Sequence, residues 1–376
     1  MQDMVQDVVK ARYGAGAQER EEALCCPVDY DPKYLKIIPE EVIERDYGCG
    51  DPSQYVREDE TVLDLGSGTG KICFIASQVV WPKGKVIGID MTDEMLDVAR
   101  RNAPVVAERV GYANVEFRRG HIEDLATDLT EVDRLLAGSP LTSAAALADF
   151  ETARSKQRIE KPLVEDDSVD VIVSNCVLNL VSDTDKPALF KEMFRVLKKG
   201  GRIAISDIVS DETSPDHLKG DDDLWSGCIS GALQEHEFVA LLEEVGFYGI
   251  TLDKRDSAPW QIVDGIEYRS VTVLAWKGKE GPCWDKNEAV IYKGPFSSVA
   301  DDDGHTYLRG QPMAVCEKTF KILTSEPYAS QFYAVPAQVE VTEQIPFDCN
   351  RDALRTPLET KAGVTPETKM GEDACC

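Results

Sequence analysis

The stretch Thr61–Gly70 constrains this chain most. A short apolar strand, Thr61–Leu65, runs into Asp64-Leu65-Gly66-Ser67-Gly68-Thr69-Gly70, and a helical pattern follows over Thr69–Val80. A glycine loop at a strand-to-helix junction brings backbone N–H groups close to a ligand at the positive end of the helix. It is the junction on which doubly wound α/β sheets are built.

The alternation continues downstream. Lys85–Ile89 is a second strand, Thr92–Val110 a helix with Thr92 as N-cap, and Asn114–Phe117 a third strand. Val169–Ser174 is almost wholly apolar, as a strand buried on both faces should be. Phe190, Met193, Phe194 and Leu197 keep helical spacing before Gly200-Gly201, and Arg202–Ser206 is a fifth strand. Phe238, Leu241, Leu242 and Val245 repeat that spacing before Gly246. Two strands near 249–254 and 270–276 follow with no helix between them, which predicts a closing hairpin. The expected fold is a Rossmann-like seven-stranded α/β sheet over 59–280, mostly parallel with an antiparallel last strand. An N-terminal segment, 1–58, precedes it. The long connection at about 120–168 carries Leu125, Leu129, Val132 and Leu136 at helical steps and reads as a helical insertion. A small C-terminal domain is expected over 281–336. The Pro-, Thr- and Glu-rich tail, 337–376, reads as disordered.

The loop spacing discriminates between cofactors. A dinucleotide fingerprint needs G-x-G-x-x-G, but Lys71 stands where the third glycine belongs. A phosphate loop needs Gly at Leu65 and Ser or Thr at Ile72, so it fails too. What remains, D-x-G-x-G-x-G, suits S-adenosylmethionine, which carries an ammonium, a carboxylate and a sulfonium but no pyrophosphate. Asp64 can meet the amino group, and Gly66, Ser67, Gly68 and Gly70 make room for the methionyl portion. Asp90, ending the second strand, can accept both ribose hydroxyls. Met91 can pack on the adenine. Gly120-His121-Ile122-Glu123 is placed to line the adenine pocket, with Ile122 and Glu123 as the contacts and His121 read as a polar loop residue.

The methyl acceptor has to be inferred from the nucleophiles. Methyl transfer from a sulfonium is an in-line displacement governed by positioning, and a weak oxygen or nitrogen nucleophile wants a general base. None of the four histidines sits in an obvious active-site motif. Cysteines do: Cys176 follows the fourth strand in Ser174-Asn175-Cys176-Val177-Leu178-Asn179-Leu180. Cys228 lies in Trp225-Ser226-Gly227-Cys228, and Cys49 in Tyr47-Gly48-Cys49-Gly50. Thiols gathered at a methyl donor ask for a soft, thiophilic atom. A trivalent metalloid on thiolates keeps a lone pair that can attack the methyl without a base. A zinc site, which usually shows short paired spacings, and independent buried thiols remain alternatives.

With these motifs in view, the sequence resembles the arsenite S-adenosylmethionine methyltransferases. The matching stretches are Tyr47–Gly50, Asp64–Gly70, Gly88–Thr92, Ser174–Leu180, and Trp225–Cys228 with Gly231-Ala232. The resemblance implies that Cys176 and Cys228 bind As(III), with Cys49 completing a three-thiolate site. An upstream cysteine, Cys26 or Cys25, would take part in disulfide exchange. The glutathione conjugate of arsenite would be the delivered substrate, and thioredoxin or glutathione would restore the thiols. Tyr47, Thr92 and Asn175 would lie near the cofactor. The long insertion, Cys25–Tyr30 and Arg45-Asp46-Tyr47 look like the bacterial branch associated with arsenosugar biosynthesis. The competing readings are a methyltransferase for another small acceptor and a thiol-based metalloid-binding protein.

A formal charge of −27, from 41 basic and 68 acidic side chains, repels phosphate backbones and disfavours nucleic acid as a partner. No apolar run is long enough for a membrane span. Met1–Gly14 reads as a short amphipathic helix without a signal-peptide core. A cytoplasmic setting is therefore expected, in which most of the eleven cysteines stay thiols.

Overall fold

The computed structural model describes residues 2–19, 21, 28, 30–349 and 352–362, so Cys25, Cys26, Cys375 and Cys376 lie outside the described residues. The chain divides into two compact units, Met1–Lys277 and Gly278–Cys376.

The first unit opens with helix α1 (Gln2–Gly16) and the short helices α2 (Pro32–Leu35) and α3 (Glu40–Glu44). Strand and helix then alternate: β1 (Thr61–Leu65), α4 (Lys71–Val80), β2 (Lys85–Asp90), α5 (Asp93–Val110) and β3 (Val115–Arg119). The insertion is helical as expected, with α6 (Leu129–Gly138) and α7 (Ala144–Glu160). Asp128 and Ser143 cap them by accepting from backbone N–H groups of the first turn. Next come β4 (Val169–Asn175), α8 (Lys186–Val196), β5 (Leu197–Ser210), α9 (Asp216–Lys219), α10 (Asp222–Ser226), α11 (Glu235–Val245), β6 (Tyr248–Arg255), β7 (Gln261–Val263) and β8 (Ile266–Trp276).

The main sheet has the order β3-β2-β1-β4-β5-β8-β6, with short β7 paired to β8. β1 through β5 pair in parallel, and β8 runs antiparallel to both β5 and β6. Seven strands with an antiparallel last member match the expectation. Strand β5 is longer than its apolar stretch suggested, because β8 pairs with it from Arg202 to Ser210. Leu63, Leu65, Ile172 and Ile205 from the central strands are fully buried with Leu189, Phe190 and Met193 of α8. The N-terminal segment is not a separate body. It belongs to this unit, where α1 meets α10 through Arg12, whose guanidinium donates to Ser226 Oγ and the Asp223 carbonyl, each at 2.8 Å.

The second unit contains β9 (Trp284–Asp285), β10 (Ala289–Tyr292), β11 (Ser298–Ala300), β12 (Thr306–Leu308), β13 (Pro312–Ala314), α12 (Glu317–Leu323), β14 (Phe332–Val335), β15 (Ile345–Pro346) and α13 (Pro357–Thr360). Its core gathers Val290, Tyr292, Tyr307, Met313, Val315, Leu323 and Phe332. The expectation of a disordered tail from 337 fails for residues described there. β15 pairs with β9, Ala314 N donates to the Ala353 carbonyl, and Arg355 pairs with Asp285 at 2.6 Å. Composition hid a start signal: Thr356 and Glu359 form a capping box around Pro357 at the head of α13. Among the described residues no helix is long and apolar enough to cross a membrane.

Candidate active site

β1 pairs with β2 on one side and with β4 on the other, so the sheet reverses its order at β1. Ligands of open α/β sheets sit beyond the strand ends at such a point. A cleft opens there, lined by Tyr47, Gly66, Gly68, Asp90, Met91, Thr92, Ile122, Glu123 and Cys176 among the expected residues. Asp64, Ser67, Gly70 and Asn175 do not line it.

Asp90 organises the floor. One carboxylate oxygen accepts from Gly68 N at 2.9 Å and the other from Thr92 N at 2.8 Å. Thr92 holds the N-cap position of α5, but its side chain makes no capping bond. Burial raises the Asp90 carboxyl while these amides lower it; the net shift is upward. Gly68 has φ +51°, and a Cβ there would meet nothing within 4 Å, so the backbone presents an open cradle to the cleft. His121, read from sequence as a polar loop residue, lines the wall with a buried Nδ1 that has no hydrogen-bond partner. Ribose hydroxyls could share the outer lone pairs of Asp90, and the cradle admits the methionyl chain. The residues present therefore fit S-adenosylmethionine.

Asp64 lies behind the loop, 2% exposed, accepting from the Cys73 thiol at 3.2 Å. Burial pushes its carboxyl up to about 7, with Asp46 and Asp90 adding to the rise and the Cys73 contact opposing it. It can meet a cationic amino group only across the loop. Sequence reasoning missed Asp46, which lines the cleft and pairs with buried Lys71 at 2.5 Å. A signal existed: a lysine opening a helix faces the positive end of the helix dipole and needs an anionic partner. Tyr13 and Gln6 of α1 were also missed; Gln6 donates to Glu123 at 2.9 Å.

The three expected cysteines come together in one apolar cluster with Ile208, Ile229 and Tyr268. They are not three thiols. Cys49 and Cys176 are joined by a disulfide with Cα atoms 5.9 Å apart, while Cys228 keeps its thiol, which donates to the Cys176 carbonyl at 3.2 Å. Side-chain clamps hold the arrangement. Asn175, expected near the cofactor, instead latches the cysteine turn: its Oδ1 accepts from Cys49 N at 2.9 Å and Gly50 N at 3.1 Å, and its amide donates to the Gly50 carbonyl at 2.7 Å. Gly48 must be glycine for this, since a Cβ would lie 2.2 Å from Asn175 Nδ2. Asp207 accepts from Val177 N and Leu178 N and so fixes the bend after Cys176. Asn179 donates to the Ile208 and Cys228 carbonyls, tying the Cys228 segment to the same bend.

A second, smaller cavity is lined by Tyr13, Tyr47, Gly48, Cys176, Ile208, Gly227, Cys228 and Trp260. Tyr13, Tyr47 and Cys176 belong to both cavities. A group held by Cys176 and Cys228 would thus face the cofactor cleft across a shared wall.

Comparison with known proteins bears on this pairing. Residues 57–246 match a family described as Methyltransferase domain, and residues 279–365 match one described as Domain of unknown function. The arsenite methyltransferase of Aquipseudomonas alcaligenes is 34% identical over 324 residues, covering 82% of this chain and 83% of that protein. That of Homo sapiens is 30% identical over 355 residues, covering 90% and 82%. The X-ray structure of an arsenic(III) S-adenosylmethionine methyltransferase from Chlamydomonas reinhardtii is similar with a TM-score of 0.56 at 28% identity, covering 86% of this chain and 100% of that one.

Proposed function

Because this chain belongs to the family of S-adenosylmethionine-dependent arsenite methyltransferases, we propose that it methylates arsenite on the Cys49, Cys176 and Cys228 thiolates, with the glutathione conjugate as the delivered form. The observation that carries this reading is the wall of Tyr13, Tyr47 and Cys176 common to the two cavities. When bound, S-adenosylmethionine supplies a methyl group on a positively charged sulfur. Asp90 and the Gly66–Gly68 backbone orient that donor, and the cysteines orient the acceptor. The arsenic lone pair forms the new As–C bond, so no residue has to remove a proton.

Carbon–arsenic bond formation takes arsenic from the trivalent to the pentavalent state. Two thiolates return it by giving up two electrons and joining as a disulfide. Cys49 and Cys176 are the pair supported for that role, since they are already bonded to each other. In that state only one of the three ligands is a thiol, so a reductant, thioredoxin or glutathione, must act before the next arsenite binds. Cys26 or Cys25 is proposed to relay this exchange. Such chemistry belongs in a reducing compartment such as the cytoplasm.

The test is to incubate the protein with arsenite, S-adenosylmethionine, glutathione and thioredoxin and separate the arsenic species by mass. Methylated arsenic is expected, and its absence would overturn the reading. Arsenite retention measured before and after reduction checks the thiolate part. Read as the arsenic held by the wild type in excess of a Cys228→Ser chain, this retention should appear only on reduction; an equal excess in both states would sink it.

A further inference from the structure

Three cysteines with no part in the cleft converge in the second unit. Cys283 precedes β9, Cys316 is the N-cap of α12, and Cys349 follows β15. Their Sγ atoms all lie within 4.8 Å of one another, and none is in a disulfide. The segments that carry them are tied together. β15 pairs with β9, Phe347 N donates to the Cys283 carbonyl at 2.9 Å, and Thr319 N donates to Cys316 Sγ at 3.4 Å. Cys316 is 1% exposed, while Cys283 and Cys349 are partly open, so a ligand can enter from solvent.

We propose that Cys283, Cys316 and Cys349 form a second binding site for trivalent arsenic, built wholly within the second unit. Only the choice of ligand rests on the arsenite reading given above. A thiol triad selects soft ions. The alternative occupant, structural zinc, takes four ligands, and no fourth His, Cys, Asp or Glu joins this cluster among the described residues. The neighbouring imidazole of His305 is committed at both nitrogens, Nδ1 to Asp301 at 3.0 Å and Nε2 to the Cys349 carbonyl at 2.8 Å. Trivalent arsenic is satisfied by three sulfurs and its own lone pair.

Loading balances without a redox partner. Arsenous acid exchanges three As–O bonds for three As–S bonds. Each thiol proton leaves with a hydroxide as water, and arsenic stays trivalent. The site therefore stores the substrate's oxidation state unchanged, unlike the cleft.

The experiment uses the full, reduced chain carrying Cys49→Ser, Cys176→Ser and Cys228→Ser, so that its outcome is independent of the methylation site. Arsenite is added, and the protein is followed by native mass spectrometry and by N-ethylmaleimide footprinting. One arsenic should be retained per chain. Labelling of Cys283, Cys316 and Cys349 should slow by about tenfold or more, because a thiolate committed to a ligand is no longer a nucleophile. Adding Cys316→Ala should abolish retention. The footprint needs no substitution in the triad, so it decides the matter even if that variant misfolds. Unchanged labelling of the three cysteines would overturn the proposal. So would protection confined to Cys25-Cys26 or Cys375-Cys376, or bound zinc that arsenite does not displace.

Discussion

The Cys228 thiol donates to the backbone oxygen of Cys176 at 3.2 Å. The contact joins two segments that leave different strands, one after β4 and one after β5. It places the sulfur of Cys228 beside the bend that carries Cys176, with Asn179 bridging both segments behind it.

Replacing Cys228 by Ser therefore removes one of the three proposed arsenic ligands and leaves the Asp90 floor of the cleft intact. Loss of an outer-shell partner alone costs about 10- to 100-fold at metal sites, so loss of this ligand should lower arsenite methylation by at least about 100-fold. S-adenosylmethionine affinity, read by calorimetry, should stay within a factor of about two, since the thiol's contacts, the Tyr13 hydroxyl at 3.9 Å and the Cys176 carbonyl, are separate from Asp90 and the glycine loop. Full activity in Cys228→Ser would contradict the thiolate mechanism.

Asn175→Ala tests the latch. It leaves the Cys49 and Gly50 amides without their acceptor, and each orphaned buried donor costs about 1–3 kcal/mol. The methylation rate should fall well before cofactor binding does, and the Cys49–Cys176 disulfide should form more slowly after each turnover. Thiol counting at fixed times after mixing would reveal this. A variant that lost cofactor affinity first would move Asn175 back to the donor side of the site.

Asp90→Ala should act on the donor. Charge-assisted hydrogen bonds contribute about 1.5–3 kcal/mol each, so the KM for S-adenosylmethionine should rise by roughly one to two orders of magnitude. Arsenite retention by the reduced protein should be untouched. If both fell together, the variant would have lost the fold of the loop rather than a ligand contact.

Asp64 predicts a pH dependence. Its folded-state carboxyl is raised from 3.8 to about 7 by burial. The native state thus keeps a proton that the unfolded chain has already released. That contribution is complete below about 4 and is lost as pH rises to about 7. Measured by thermal melting without cofactor, the stability of the wild type relative to Asp64→Asn should fall between pH 4 and 7 and level off above. A difference that rises or stays flat over that window would show the carboxylate to be ionised throughout.

Much of this architecture was legible because it depends on local pattern. The apolar strands, the helical spacings and the Gly66–Gly70 loop announce an α/β sheet, and Cys176 sits where a strand end meets ligand. Cys49 and Cys228 join Cys176 only through the family resemblance of their contexts. What escaped depends on partners distant in sequence. Asp207 looks like any strand residue until Val177 N and Leu178 N are seen to converge on it. Asp46 and Lys71 become a pair only after folding. The family resemblance places Asn175 near the cofactor, yet its side-chain amide faces the Cys49 turn. Cys283, Cys316 and Cys349 have no short spacing to betray them, since β9, α12 and β15 bring them together only in three dimensions.

Cys176 and Cys228 have φ of +56° and +62°, in the left-handed region that a side chain with a Cβ rarely adopts. Each such residue costs of order 1–3 kcal/mol, and glycine would relieve it. Cys228 thus sets heat tolerance against chemistry: a laboratory selection for thermostability alone would enrich glycine there and remove a proposed arsenic ligand. At Cys176 glycine would also break the disulfide to Cys49, a loss of about 2–5 kcal/mol that offsets the strain relieved. Libraries intended to harden this enzyme should hold Cys176 and Cys228 constant and look for gains elsewhere.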